Sequence, residues 1–449
     1  MREHSILRFR PQPFFAADDA SFPAVHPGGG DLIQVAIVGC GGRGGGAAIN
    51  ALSTPSGPVK VVALADSFSD RLEETYKNLV ESGVEGVDTP EERRFAGFDA
   101  YKQAMDCLRP GDIVALTTPP AFRWVHFKYA VSKGLNVFME KPTTVDGPTS
   151  KRMLETAEES VTKNLKVGAG LMSRHARNIQ ELRERVLNGE LGEILFMRGY
   201  RMHGPGGYFH SGPKPEGIGE LEYQLRRFHS FLWASGGAYS DFYIHQIDHL
   251  CWIKDALPVS AQALGGRHYK IGPDGAESVD QNFDSYAVEY TFDDGTKMFF
   301  DGRSMQGAHN IYSSYVHGTK GMGIAARKYD CSGPSAIFRG QKIAPANAVW
   351  RSEDESNPYQ NEWDTLLEAI REDKPMNEAK VGIEASLVCS MGRMAAHTAQ
   401  EITFEQMLNC DHEFAPGLDE LTADSPAPVL SDEHGRYPKP EPGIKAREY

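Results

Sequence analysis

The stretch Leu32-Ile33-Gln34-Val35-Ala36-Ile37-Val38-Gly39-Cys40-Gly41-Gly42-Arg43-Gly44 decides the fold of this chain. Its first seven residues form a short, nearly unbroken apolar run, as expected of a parallel strand buried on both faces. The run ends in glycines spaced G-x-G-x-x-G. Gly39 permits a tight turn, Gly41 lets backbone approach a pyrophosphate, and Gly44 allows a helix to pack closely on the strand. A helix over 44–52 would aim its first amides at those phosphates. A second strand is expected over 59–65. Asp66 follows it, 22 residues beyond Gly44, near the spacing of a carboxylate that binds a ribose 2′-hydroxyl. Gly39, Gly41, Gly42, Arg43, Gly44 and Asp66 are therefore the expected dinucleotide contacts. Unit charges 4 Å apart at an effective dielectric near 20 repel by roughly 4 kcal/mol. A 2′-phosphate beside Asp66 would meet that repulsion, which favours NAD over NADP, although Arg71 softens the preference.

Working outward, apolar strands are expected over 113–117 and 136–139, with helical stretches between them. Such alternation predicts an α/β fold opening with a Rossmann-type, doubly wound parallel sheet. The texture changes after about Lys166. A strand is expected over 194–201, residues 286–292 alternate apolar and polar, and Asp293-Asp294-Gly295-Thr296 supplies a hairpin turn before a strand over 297–300. Helices follow over 361–372 and 378–397. The expected organisation is an arm over 1–31, a dinucleotide-binding domain over 32–165, an α+β domain over 166–410 and a proline-rich tail over 411–449. The second domain should carry a large, open, mainly antiparallel sheet, one face of which needs a helix or a partner subunit as cover. The tail should form no core of its own.

At 449 residues, two domains plus extensions are the natural prior. No apolar run reaches bilayer length. A formal net charge of −14 argues against nucleic acid and anionic membranes as partners. Six scattered cysteines include no CxxC pair, so neither a zinc knuckle nor a dithiol site is indicated. The first 31 residues show no apolar leader core or twin arginine, so a cytoplasmic protein is expected, or a periplasmic one where a leader has been removed.

Two segments carry the chemistry. In Phe138-Met139-Glu140-Lys141-Pro142, Lys141 follows a strand end, where ligands of such sheets sit. Its ammonium can hydrogen-bond an alcohol and stabilise a developing alkoxide. In the segment beginning Gly236-Gly237, Asp241, His245 and Asp248 fall on one helical face. An imidazole among carboxylates suits proton abstraction from an alcohol. Between His203 and Ala234 lie Gly204-Pro205-Gly206-Gly207 and many rings: Tyr208, Phe209, Tyr223, Phe228, Phe231 and Trp233, with Arg226, Arg227 and His229. That stretch reads either as a surface insertion or as an active-site cover that stacks rings such as Trp233 on a sugar, with the arginines as alternative partners for a substrate carboxylate.

Together these segments resemble the Gfo/Idh/MocA oxidoreductases, the glucose–fructose oxidoreductase and inositol dehydrogenase family. The resemblance spans about residues 33–410. It rests on the glycine turn, on Thr118-Pro119-Pro120 followed by His126, on Glu140-Lys141-Pro142, and on the pattern GGxxxDxxxHxxD from Gly236. It implies that Lys141, Asp241 and His245 are catalytic, with His245 as acid/base. It implies that Lys141 holds the reacting oxygen and that Asp241 binds substrate hydroxyls or orients the histidine. By the same resemblance Thr118, Pro119, Pro120, His126 and Glu140 flank the cofactor, and Arg174 contacts substrate. The implied partner is a small sugar-like molecule, and the implied assembly a dimer or tetramer wrapped by the terminal arms.

The activity expected is NAD-dependent hydride exchange with a secondary hydroxyl of a sugar, glycoside or cyclitol. Redox-assisted glycoside cleavage, as in NAD-dependent α-N-acetylgalactosaminidases of this family, is the alternative on the same site. His245 and His249 are spaced like the ligands of a zinc-protease helix, but Gln246 stands where that motif needs glutamate, so no metal is expected. A cofactor-holding subunit without activity is the non-enzymatic reading.

Overall fold

The computed structural model describes residues 31–449 except 208, 269–270, 272–274, 276, 329–330, 332 and 354–356. The expected N-terminal arm therefore lies almost wholly outside the described residues, as does Tyr208. The opening run forms β1 (Ile33–Val38), followed by β2 (Val59–Asp66), β3 (Arg94–Ala96), β4 (Ile113–Leu116), β5 (Asn136–Met139) and β6 (Val167–Ala169). All pair in parallel, in the order β3-β2-β1-β4-β5-β6. This is the doubly wound sheet the sequence predicts, and the strand order reverses beside β1, where such sheets bind ligands. β6 lies beyond the boundary expected at 165.

The second sheet comprises β7 (Ile194–His203), β8 (Ser260–Gly266), β9 (Ser285–Thr291), β10 (Lys297–Ser304), β11 (Ile311–Gly318), β12 (Gly321–Ala326), β13 (Ala336–Arg339), β14 (Ala348–Arg351) and β15 (Ile402–Thr403). Its order is β14-β13-β12-β11-β7-β10-β9-β8-β15, antiparallel except for the central β7/β10 pair. The Asp293-Asp294-Gly295-Thr296 turn joins β9 to β10 with Gly295 at φ 83°, so the hairpin forms where it was expected. Helices Gly237–Lys254 and Ala379–Thr398 cover one face, and both are buried nearly all round.

Two chain returns tie the domains together. Helix Pro358–Arg371 packs Trp363, Leu366, Leu367 and Ile370 under the Rossmann sheet, with the Trp363 ring 4.5 Å from that of Phe138. The tail behaves as the sequence predicts in one respect and departs from it in another. It forms no core alone. However, Phe414, Leu418, Val429 and Tyr437 share a core with Leu221, Tyr223, Phe231 and Trp233 of the same chain. These apolar side chains of the tail are thus buried against their own chain.

Candidate active site

The glycine turn shows two kinds of glycine. A Cβ at Gly39, where φ is 105°, would lie 2.6 Å from Thr117 backbone, and one at Gly44 would lie 2.0 Å from the Gly39 carbonyl oxygen. These two are fixed by turn geometry and packing. A Cβ at Gly41 or Gly42 would meet nothing within 4 Å. That leaves an open concavity at the N-terminus of helix Gly42–Leu52, which starts two residues earlier than expected. Asp66 ends β2 and accepts from the Cys40 amide at 2.7 Å and the Phe68 amide at 2.9 Å. Burial pushes its carboxyl up, against those two donors. These residues fit a dinucleotide: an amide-lined hollow for phosphates, and a carboxylate with lone pairs left for a ribose.

Not every expected cofactor contact faces that hollow. Arg43 turns toward the second domain. It pairs with Glu140, reaches Glu362 at 3.4 Å and lies over the Tyr359 ring at 4.4 Å. Arg43 and Glu140 therefore engage each other. Pro120 opens a single turn, Pro120–Phe122, after Thr118 and Pro119. His126 sits behind this turn. It is buried, its Nδ1 lies 3.2 Å from the Thr118 hydroxyl, and its ring packs on Tyr101 and Phe122. Burial, with Arg123 nearby, pushes it down to about 3. The neutral ring thus braces Thr118 from within rather than lining the cofactor hollow.

The expected catalytic residues meet where the segment that follows β5 reaches helix Gly237–Lys254. Gly236 and Gly237 stand at φ 72° and 73°. A Cβ there would lie 2.9 Å from Arg393 Nη1 or 2.6 Å from Leu232, so both must be glycine for the helix to start here. Lys141 Nζ donates to the Asp241 carbonyl at 2.7 Å, with Asp241 Oδ1 at 3.4 Å. The other carboxylate oxygen, Oδ2, lies 3.1 Å from His229 Nε2. Burial pushes the Asp241 carboxyl up, but Lys141 and His229 outweigh it and hold the group well below the carboxylate range. One turn on, His245 is buried. Desolvation, then the charges of Lys141 and Arg201, push it well below the ordinary histidine value, so it is a neutral imidazole. Its Nδ1 has no hydrogen-bond partner among the described residues.

The rest of the expected face separates. Asp248, about 10 Å further along the helix than Asp241, is held by Arg174 through bonds of 2.9 and 2.8 Å. The guanidinium lies over Trp252 at 5.6 Å, so the geometry ties Arg174 to the helix. Trp233 is fully buried, donates to Gln224 at 2.7 Å and meets Phe122 edge-on, so it is a core residue and not a sugar platform. Its neighbours Phe209, Tyr223 and Phe231 are buried too, and Arg226 pairs with Asp70 and Glu222. Large rings in this segment gain more by packing against the tail than by facing water. The segment sends His229 to Asp241. The sequence also gave no signal for Arg201, Tyr359 or Glu362, which come from a strand end and a helix remote in sequence.

Residues 33–184 match the family model described as oxidoreductase family, NAD-binding Rossmann fold, and residues 179–323 match the GFO/IDH/MocA C-terminal domain. The chain is 28% identical over 155 residues to the inositol 2-dehydrogenase of Leifsonia xyli subsp. xyli, covering 33% of this chain and 45% of that one. It is 34% identical over 96 residues to the D-glucoside 3-dehydrogenase of Escherichia coli, covering 20% and 25%. The match thus spans about half the length of the curated relatives, or less. Among solved structures, a levoglucosan dehydrogenase in complex with NADH and levoglucosan superposes with a TM-score of 0.62 at 15% identity, covering 84% of this chain and 100% of that one. The aldose-aldose oxidoreductase of Caulobacter crescentus gives 0.62 at 18%, covering 83% and 100%. With a glycine-turn domain that fits NAD and the matched second domain behind it, the chain belongs to the Gfo/Idh/MocA family of oxidoreductases.

Proposed function

We propose that this protein is an NAD-dependent oxidoreductase that oxidises a secondary hydroxyl of a sugar, glycoside or cyclitol. The single observation that carries the reading is the junction of Lys141, Asp241 and neutral His245 beside the glycine turn. Gly39, Gly41, Gly42 and Gly44 would hold the dinucleotide with Asp66, and bound NAD would supply the hydride acceptor. Lys141 donates a hydrogen bond to the reacting oxygen and stabilises negative charge developing there. His245, already neutral, accepts the hydroxyl proton. Asp241 stays ionised, which orients the Lys141 ammonium and leaves an acceptor for a second hydroxyl. The names of the relatives, inositol and glucoside dehydrogenases, support polyol-like substrates. The test is release and identification of cofactor from purified protein, then a sugar and glycoside panel followed by NADH absorbance and product chromatography. Stoichiometric NADH with a ketone product supports the reading. Sugar release without net NADH would replace it by redox-assisted cleavage.

The same reading predicts cofactor preference. Asp66→Asn removes the charge that faces the ribose and keeps an oxygen for the Cys40 amide. The ratio of kcat/KM for NADP over NAD should rise tenfold or more, about 1.4 kcal/mol of the repulsion. An unchanged ratio in steady-state assays would place selectivity elsewhere.

We also assign the open face of the second sheet to a second copy of the chain. That face carries Phe196 stacked on His317 at 4.3 Å, Arg198 over Tyr315 at 4.5 Å, and exposed Phe299 and Leu264. Such an apolar patch on a surface with no helix over it among the described residues suits an isologous interface. Light scattering at micromolar concentration should give a dimer or tetramer, and the double variant L264D/F299D should shift it toward monomer. A wild-type monomer would remove the assignment.

A further inference from the structure

Strand β7 ends with Arg201 and His203 on its helix-covered side, beside the reaction centre. Arg201 Nη1 donates to the Phe242 carbonyl, and its guanidinium lies 5.1 Å from the Phe242 ring centroid and 5.4 Å from that of Tyr312. Lys141 Nζ lies 5.9 Å from the same Phe242 ring, so the two cations share one aromatic neighbour. Their charges also reach the same imidazole, that of His245.

The three cations are not equally partnered. Arg43 meets Glu140 and Glu362, and Lys141 meets Asp241. Arg201 makes no ion pair with the described residues, and its buried Nε has no hydrogen-bond partner among them. A guanidinium offers five donors, of which one meets the Phe242 carbonyl among the described residues. Keeping an unmatched, partly buried cation is costly unless something arrives to meet it. The planar fork suits a carboxylate, which it can take in two parallel hydrogen bonds.

We infer that Arg201 receives a carboxylate on the substrate, so that this site takes an acidic sugar, of the uronic or aldonic acid class, in preference to its neutral counterpart. The inference rests on the oxidoreductase reading for its kinetic arm only. A carboxylate held by Arg201 puts the neighbouring polyol over Phe242, with one hydroxyl within reach of Lys141 and His245. It also gives Arg201 the ionic partner it lacks among the described residues, which the neutral sugar cannot do.

The test uses matched pairs, D-glucuronate against D-glucose and D-galacturonate against D-galactose, with glucose 6-phosphate as a second anion. NADH formation gives kcat/KM for each, and thermal shift with each sugar in the presence of NAD gives binding without turnover. The wild type should favour the carboxylate member of a pair by tenfold or more, in rate or in affinity. Arg201→Gln retains a donor for the Phe242 carbonyl but lacks the charge, and should lower that carboxylate-to-neutral ratio tenfold or more. Arg201→Lys should fall between. A neutral sugar favoured equally, a ratio untouched in Arg201→Gln, or a preference for the phosphate over the carboxylate overturns the assignment. Carboxylate binding that weakens in Arg201→Gln without any NADH formation supports Arg201 while removing the dehydrogenase reading, so the two fail separately.

Discussion

Lys141→Met is expected to lower hydride transfer by two or more orders of magnitude at saturating NAD and sugar, while NAD affinity changes little. A hundredfold loss corresponds to about 2.7 kcal/mol in the barrier, within what one well-placed donor to a developing alkoxide supplies. The ammonium touches no part of the glycine turn, so the dinucleotide site should survive its loss. It does touch Asp241, at 2.7 Å on the carbonyl and 3.4 Å on the carboxylate. Removing it also removes the first of the charges that hold the Asp241 carboxyl down against burial. The variant should therefore lose rate more than its KM rises. His245→Gln should show a comparable loss, in line with removal of a positioned base. Because desolvation and two cations depress the His245 pKa, the neutral base persists to lower pH than an ordinary histidine. The acid limb of kcat should accordingly lie below pH 6.5 in the wild type and vanish in His245→Gln. Stopped-flow NADH formation with NAD affinity by calorimetry measures both. A Lys141→Met enzyme within threefold of wild type would exclude Lys141 from the chemistry.

The contrast between legible and hidden parts follows from the range of the interactions. The Rossmann sheet was readable because β1, the glycine turn and Asp66 lie close together in sequence, and each is constrained by local backbone geometry. Lys141, Asp241 and His245 could be proposed from the sequence because a strand end and an i, i+4 helical step are local patterns too. Asp248 shares that periodicity yet belongs to Arg174, since helical phase says which side a residue faces and not what stands opposite it. Trp233 failed for a related reason. An aromatic-rich loop has one composition whether it covers a sugar or a core, and only the returning tail decides between them. Arg201 and Glu362 reach the cleft through pairings with no sequence spacing at all.

Glu448→Ala should be the most destabilising single change outside the core, because of what its carboxylate matches. Arg393 is fully buried in helix Ala379–Thr398, and Glu448 meets it with bonds of 2.8 and 3.1 Å while also accepting from His397 Nδ1 at 2.8 Å. Burial pushes the Glu448 carboxyl up, but Arg393 and His397 outweigh it and bring it to about 2. Removing one partner of a buried pair leaves an uncompensated charge, at a cost of about 3–5 kcal/mol. Glu448→Gln, which still accepts a hydrogen bond, should lose less. The folded carboxyl titrates below the 4.5 of a free glutamate, so its contribution is complete above pH 4.5 and disappears as the pH falls toward 2. Urea midpoints across pH 2–6 should show a steeper acid loss in the wild type than in Glu448→Gln. The effect should extend to catalysis. The same guanidinium donates to the Gly236 carbonyl at 3.0 Å, the Ser240 hydroxyl at 2.9 Å and the Val145 carbonyl at 2.9 Å. Those atoms bracket Asp241 on one side and follow Lys141 on the other. A tail that loosens its hold on Arg393 therefore frees both halves of the reaction centre, and kcat in Glu448→Ala should fall below wild type at temperatures where circular dichroism still reports a folded chain. Wild-type kcat there would confine the tail to stability alone.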